Sequence, residues 1–322
     1  MKTVPEEERA MRVLVTGGSG FLGRHLVPYL EAQGHDVLAP SSQRCDLRRP
    51  DALDALADER FDRIFHLAAW TRAGTFCRQR RGEQWLRNER INLNLLDFWA
   101  RHQPGAMLIA FGTSVAYEPA AGLLREEDYL RGEPADDYLG YASTKRSLLA
   151  GMRSLAGQLR LRYLYLIPST LYGPGYHLDG RELHFVYDIT RKIVAGRRSG
   201  SEVRLWGDGQ QRRELVYIDD AVRWIVRLAE LASGEVINLG QGGDQSILDM
   251  ARTLCAATGY DADHLAFDPD AFVGARSKIL ATDRLDRLWP DRPRTPLDQG
   301  LAATARWVED HLDALTPPAQ PD

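Results

Sequence analysis

Cysteine is scarce in this chain, and the three present are poorly placed for cross-links. Cys45, Cys77 and Cys255 are odd in number and share no Cys-x-x-Cys spacing. A disulfide framework and a zinc site are therefore not expected, no metal is implied, and a reducing cytoplasm is the setting that fits. Long apolar runs are missing too: none approaches the ~20 residues that cross a bilayer, so no membrane span is expected. The opening MKTVPEEERA is acidic and has no apolar stretch, unlike a secretory leader. Charge of one sign is also lacking. Lys and Arg number 41 against 45 Asp and Glu, a net −4 that gives no push toward nucleic acid or an anionic membrane. No internal repeat or low-complexity linker is visible. What remains is an ordinary globular composition, 44% hydrophobic and 27% charged over 322 residues. That length supports one large or two closely packed domains with ample core. Residues 1–10 and 317–322 read as loose ends.

The first half alternates short apolar runs with helical patterns. RVLVTG (12–17) reads as a buried strand and FLGRHLVPYLEAQG (21–34) as a helix ending at Gly34, with Pro28 expected to kink it. DVLAP (36–40), RIFHLAA (63–69), AMLIAFGTS (106–114) and RYLYLIPST (162–170) read as further strands. RPDALDALADE (49–59), residues 82–102 and a segment opening at Tyr141 read as the helices between them. Such alternation predicts a doubly wound parallel sheet, which binds ligands at the carboxyl ends of its strands. After about residue 170 the pattern becomes irregular. Residues 200–220 suggest short strands around a turn, EVINLG (235–240) one more strand of the main sheet, and residues 246–259 and 297–312 amphipathic helices. We therefore expect a dinucleotide-binding domain over 11–170. Residues 171–316 would form a smaller, mainly substrate-binding lobe, with a segment around 235–258 returning to the sheet.

VTGGSGFLG places Gly17, Gly20 and Gly23 between the first strand and the first helix, with Phe21 and Leu22 on the helix's opening turn. Glycines there allow a tight turn and let backbone N–H groups approach a pyrophosphate at a helix N-terminus. Alone the spacing is weak. A buried strand before it and a helix after it supply the required context. An NAD site usually carries an acid at the end of the second strand. Here Pro40, Ser41 and Ser42 stand there and Arg44 follows, which favours NADP(H), with NAD the alternative. Asp46, followed by Leu47, is a candidate for the adenine edge or a helix N-cap. Farther on, GYASTKR sets Lys145 one helical turn past Tyr141, so the two share a face.

Together the glycine loop, HLAA (66–69) and Tyr141-x-x-x-Lys145 resemble the extended short-chain dehydrogenase/reductase family, the NAD-dependent epimerases and dehydratases. RNERINLNLL, PSTLYGPG and RRELVYIDDAV extend the resemblance over residues 11–312, and within the family it lies nearest the GDP-fucose synthase-like epimerase/reductases. It implies a Rossmann-type doubly wound sheet with a smaller C-terminal substrate lobe. It also implies cofactor contacts from Leu67, Ala68, Ala69, Asn88 and Pro168, and a homodimer through helices 83–102 and 141–159. In the family the tyrosine exchanges a proton with a sugar oxygen, and the lysine binds the nicotinamide ribose and acidifies the tyrosine. A neighbouring ammonium favours a phenolate, whose free pKa is about 10. A third hydroxyl is implied at Thr113, with Ser114 beside it; a strand-end hydrogen bond is the simpler alternative for both.

The departures shape the expected chemistry. Where dehydratases of the family carry Asp-Glu, this chain has Ser114 and Val115, and a valine moves no proton. Val115 also stands where GDP-fucose synthases have a catalytic cysteine. His184, sixteen residues past Pro168, matches their catalytic histidine. One proton-transfer group is thus present and the other absent, which suggests a ketoreductase or an epimerase acting at a single carbon. Cys77 is considered near the sugar, although a plain buried thiol is the simpler reading. For a nucleotide-sugar substrate, Arg213 offers a forked phosphate contact, with Arg212 the alternative register, and Trp206 a stacking face. Arg276 is a further candidate. The expected activity is NADP(H)-dependent oxidoreduction or epimerisation of a nucleotide-linked 4-keto-(6-deoxy)hexose, with hydride transfer at C4. An epimerase holding NAD tightly is the enzymatic alternative. A non-catalytic dinucleotide sensor is the alternative of another class, and retention of both Tyr141 and Lys145 counts against it.

Overall fold

The computed structural model describes residues 10–72, 76–119, 122–271 and 277–315. Six strands build the main sheet: β1 (Arg12–Thr16), β2 (Asp36–Leu38), β3 (Arg63–His66), β4 (Met107–Phe111), β5 (Tyr163–Pro168) and β6 (Glu235–Leu239). They lie in the order β6–β5–β4–β3–β1–β2. Every pairing is parallel. Parallel strands are joined by crossovers that cover both faces, which is why RVLVT and MLIAF read as continuous apolar runs.

Helices α1 (Phe21–Ala32), α2 (Arg81–His102), α3 (Leu139–Leu159), α4 (Phe185–Ser199), α5 (Ile218–Leu231), α6 (Ile247–Thr258) and α7 (Leu297–Asp310) surround that sheet and the lobe. Alternation along β1 sorts its side chains. Leu14 joins the layer under α2 and α3 with Leu95, Trp99, Leu148 and Met152. Val13 and Val15 face α1 and α5, meeting Leu26, Leu30, Trp224 and Ile225. A third cluster packs α4, α6 and α7 together through Tyr187, Ile193, Leu254 and Val308. This is the Rossmann-type doubly wound sheet with a smaller lobe that the residue pattern predicts. The strand at 235–239 completes the main sheet beside β5.

Two local expectations change. RPDALDALADE is not a helix; only a 3₁₀ turn forms, at Asp54–Leu56. Leu53 is its one well-buried anchor, and Arg49 folds back on Asp51 instead of entering a helical ladder. A short segment with so little burial cannot offset the cost of helix nucleation. In α1, Pro28 removes one ladder hydrogen bond, but the helix continues to Ala32. In the lobe, Thr170–Tyr172 pairs with Leu215–Tyr217, Val203–Trp206 with Leu265–Asp268, and Arg212–Arg213 with Gln245–Ser246. Among the described residues no helix is long and apolar enough to cross a membrane, and no cluster of His, Cys, Asp or Glu is arranged to hold a metal ion. All three cysteines are free thiols.

Candidate active site

The glycine loop packs more tightly than an ordinary turn. Gly17 sits at φ +74°, and a Cβ there would stand 2.6 Å from Ala68 N. A Cβ on Gly23 would stand 2.5 Å from Gly17 O. The loop is thus pressed onto the end of β3, where Leu67, Ala68 and Ala69 continue the strand. Gly20 N-caps α1 and donates its N–H to Gly17 O at 3.0 Å. The following N–H groups, on Phe21, Leu22 and Gly23, are those an α-helix leaves without intrahelical acceptors. A close, side-chain-free approach to helix N–H donors suits a pyrophosphate. The Phe21 ring meets Tyr176 of the lobe at 5.7 Å and Tyr187 at 6.2 Å, so this loop and the lobe share a contact. Leu22 packs in the layer under α1.

After the end of β2, Ser41, Ser42 and Arg44 are exposed. Asp46 is engaged by Arg48, whose Nε and Nη2 reach it at 2.7 and 2.6 Å. That hydrogen-bonded pair holds the carboxyl below its usual range. Asp46 also accepts from the Arg48 N–H and so shapes a turn, but it caps no helix. Leu47 is buried. Asn88 is buried as well, and its amide is spent on the backbone of the loop after β3. Its Oδ1 accepts from Trp70 N at 2.8 Å, and its Nδ2 donates to Trp70 O and Gln84 O. It therefore shapes the cofactor-side loop and makes its contacts to protein.

Helix α3 brings Tyr141 and Lys145 to one face, the Lys145 ammonium 5.7 Å from the Tyr141 ring centroid. Thr113 and Ser114 follow β4, Pro168 ends β5, and all of these except the buried Lys145 line one cleft of about 980 Å³. The Thr113 hydroxyl accepts from Val115 N and caps the short turn at 114–116. The expected acidification of Tyr141 by Lys145 is not found. Burial pushes the phenol well up. Burial pushes the ammonium down to about 8. With both groups out of water, desolvation outweighs an attraction across that distance.

The buried ammonium also bears on stability. Lys145 is only 4% exposed. Its folded pKa of about 8 lies below its ordinary 10.5. At neutral pH the fold therefore carries a buried positive charge. Removing it in Lys145→Met should stabilise the ligand-free protein by about 3 kcal/mol, read as a higher Tm. Between about pH 8 and 10.5 the unfolded chain holds more protons than the folded one, so wild-type stability rises there and the advantage of the variant should shrink. A gain independent of pH over that window would contradict the titration.

On the lobe side, His184 precedes α4 and lines the cleft. Its buried Nδ1 has no hydrogen-bond partner among the described residues. Burial first, and the Arg213 charge second, push its pKa down to about 4, so the imidazole is neutral at pH 7. Arg213 lines the same cleft with its guanidinium 6.0 Å from the Phe185 ring. Arg212 is exposed and paired with Asp244 at 2.8 Å, which leaves Arg213 as the arginine of this pair that lines the cleft. Trp206 stands on the rim, 61% exposed, with Lys192 5.1 Å from its ring. Arg276 lies outside the described residues. Lys278, two positions on, lines the cleft against Tyr138 at 5.1 Å, and burial and Arg213 push it down to about 8. No motif points to it; a lone lysine among apolar neighbours in SKIL is the only signal. Cys77 is buried in the cleft wall, and burial raises its thiol pKa, which disfavours the thiolate.

Among curated relatives, a dTDP-4-dehydro-6-deoxy-D-allose reductase from Streptomyces bikiniensis is 30% identical, covering 93% of this chain and 96% of its own. A GDP-L-fucose synthase from Azorhizobium caulinodans is 29% identical with the same coverage. A solved GDP-L-fucose synthetase from Naegleria fowleri superposes with a TM-score of 0.84 over 94% of this chain and 95% of its own, at 22% identity, which speaks to the fold. The model of the NAD dependent epimerase/dehydratase family matches residues 13–240, from the glycine-loop strand to the end of the sheet. With the glycine cradle and the Tyr141–Lys145 pair at one sheet edge, the chain belongs to the NAD-dependent epimerase/dehydratase family.

Proposed function

We propose that the protein is an NADP(H)-dependent sugar-nucleotide oxidoreductase/epimerase that reduces a nucleoside-diphospho-4-keto-(6-deoxy)hexose at C4. The observation that carries this reading is the single cleft lined by Thr113, Tyr141, His184, Arg213 and Lys278, on the sheet edge that also carries the glycine loop. The activities printed for the curated relatives, a 4-dehydro-6-deoxy-sugar reductase and a GDP-L-fucose synthase, support it.

When bound, the dihydronicotinamide would supply hydride. The protein's own groups do the rest. Tyr141 donates its phenolic proton to the oxygen of the reduced carbonyl, and Thr113 donates a hydrogen bond to the same oxygen. Lys145 would hold the cofactor ribose, and its ammonium keeps positive charge beside the phenol. Arg213 and Lys278 would supply two positive charges to the diphosphate, and Trp206 offers its exposed face to the base. The exposed Arg44 and two serines, where an acid would select NAD, support a 2′-phosphate. The free thiols suit a reducing, cytoplasmic setting. Trp85, Leu86 and Leu93 are exposed along α2 and support a homodimer through α2 and α3. Sedimentation equilibrium should give twice the chain mass, and Leu93→Lys the single mass; a wild-type monomer would refute the dimer.

Val115 removes one of two proton-transfer groups, so His184 alone would exchange a proton beside the ketone. In ²H₂O, wild-type protein incubated with a 4-keto substrate and no reductant should incorporate deuterium at one adjacent carbon, and His184→Gln should lose that label while still reducing the ketone. Unchanged labelling in the variant would remove His184 from the chemistry. The function itself is tested by offering GDP-, dTDP-, UDP- and CDP-linked 4-keto sugars with NADPH or NADH and following absorbance loss and product stereochemistry. NADPH consumption with one nucleotide series is the expected result. Protein purified with bound NAD⁺ and active without added reductant would favour the epimerase alternative.

A further inference from the structure

Behind the cleft lie two tyrosines that the proposed chemistry does not use. Tyr129 and Tyr165 are both 0% exposed. The Thr113 N–H donates to the Tyr129 hydroxyl at 3.3 Å, the two hydroxyls meet at 3.3 Å, and Tyr165 donates to Lys145 O at 2.7 Å. The ends fix the direction. An amide can only donate and a carbonyl only accept, so Tyr165 spends its proton on Lys145 O and accepts from Tyr129. Each phenol therefore donates once and accepts once, in a chain from Thr113 through Tyr129 and Tyr165 to Lys145.

We propose that Tyr129 and Tyr165 are a positioning pair that ties the Thr113 loop on the cleft wall to the backbone of the buried Lys145 and so sets the distance between Thr113 and Lys145. Phenylalanine would fill the same space without burying two hydroxyls, whose desolvation is offset only while every bond is made. A fully satisfied buried network specifies one geometry rather than adding bulk stability. Gly112 belongs to the same device: a Cβ there would stand 2.6 Å from the Tyr129 hydroxyl and 2.8 Å from Tyr165 Cε1. Tyr117 braces the pair, its ring edge-on to Tyr129 at 5.0 Å and its hydroxyl donating to Asn238 at 2.7 Å. Nearby on α3, Asn92 donates to Thr144 O at 3.1 Å. Two successive carbonyls of the helix are thus each held by a side chain, one from α2 and one from β5. Burial pushes Tyr129 up to about 12 and raises Tyr165 well above the usual phenol range, so both stay neutral donors at physiological pH.

The catalytic consequence rests on the reading of Thr113 and Lys145 given above; the mechanical link does not, and the experiment separates them. Amide hydrogen exchange is measured in ligand-free wild type, Tyr165→Phe, Tyr129→Phe and the double variant, with Tm checked for each. Tyr165→Phe should speed exchange of the Thr113 amide by about tenfold, although Tyr165 does not touch it. Either single variant should lower kcat by about tenfold with KM near wild type, and the double variant should lose no more than a single, because one chain is broken once. Thr113 exchange unchanged in Tyr165→Phe would overturn the link, as would single-variant losses that multiply in the double. Should Tyr165→Phe melt early, Tyr129→Phe keeps the Tyr165–Lys145 bond and its kcat-to-KM split decides. Altered exchange with unaltered kcat would leave the link standing and overturn its catalytic part.

Discussion

Replacing Tyr141 by Phe is expected to lower kcat by about 10²–10⁴-fold, the usual worth of a positioned proton donor, while leaving NADPH affinity within a few-fold. The phenol lies on the cleft wall beside Thr113, and its neighbour Lys145 is buried on the same helical face. Phe keeps the ring and its packing, so the loss would isolate the hydroxyl. Fluorescence titration with NADPH measures the binding half of the prediction and steady-state kinetics the other. Burial pushes the Tyr141 phenol up in the ligand-free protein, so it starts protonated, as a proton donor in a reduction must. Full activity in the variant would remove Tyr141 from the mechanism, and with it the chemical reason for Lys145.

The second large effect belongs to the glycine loop, where two positions should behave differently. Gly17→Ala places a side chain at φ +74° and a Cβ 2.6 Å from the backbone of Ala68. The left-handed conformation alone costs about 1–3 kcal/mol, and a backbone contact that short must be relieved by moving the loop. We expect a lower Tm together with NADPH binding weakened by about 100-fold, since each 1.4 kcal/mol is tenfold. Gly20→Ala is the control. Gly20 has φ −73°, and a Cβ there meets only Gly17 O, at 3.2 Å. It should spare Tm but obstruct the ligand's approach to the helix N-terminus. Equal Tm losses in both variants, with cofactor affinity untouched, would mean that these glycines serve the fold alone.

Much of this site is legible in the chain because it rests on local rules. Buried parallel strands announce themselves as apolar runs, so β1, β4 and β5 are visible, and a motif at a strand end then has a defined place. Gly17 follows from that logic, whereas the roles expected of Tyr141 and Thr113 come from the family resemblance. Helical periodicity misleads where it outruns burial: residues 49–59 carry helical spacing but bury little beyond Leu53, and the segment remains in turns. Lys278 is invisible in the sequence because its place in the cleft comes from the fold. Nothing in SKIL says that the segment returns beside Tyr138 and Arg213. Tyr129 and Tyr165 are hidden for a similar reason: they are 36 residues apart, and only the tertiary structure joins their hydroxyls. The direction of the Tyr141 pKa differs from expectation because the sequence shows the ammonium and does not show the burial.

The central claim is that reducing equivalents pass within this cleft from NADPH to a sugar carbonyl protonated by Tyr141. The most direct measurement uses NADPH deuterated at C4, each epimer in turn, with the 4-keto sugar nucleotide that the substrate panel selects. Mass spectrometry and NMR of the product should locate deuterium at sugar C4 from one epimer alone, with transfer slowed by about 100-fold or more in Tyr141→Phe. Product carrying no deuterium from either epimer, or undiminished transfer in the variant, would contradict the account.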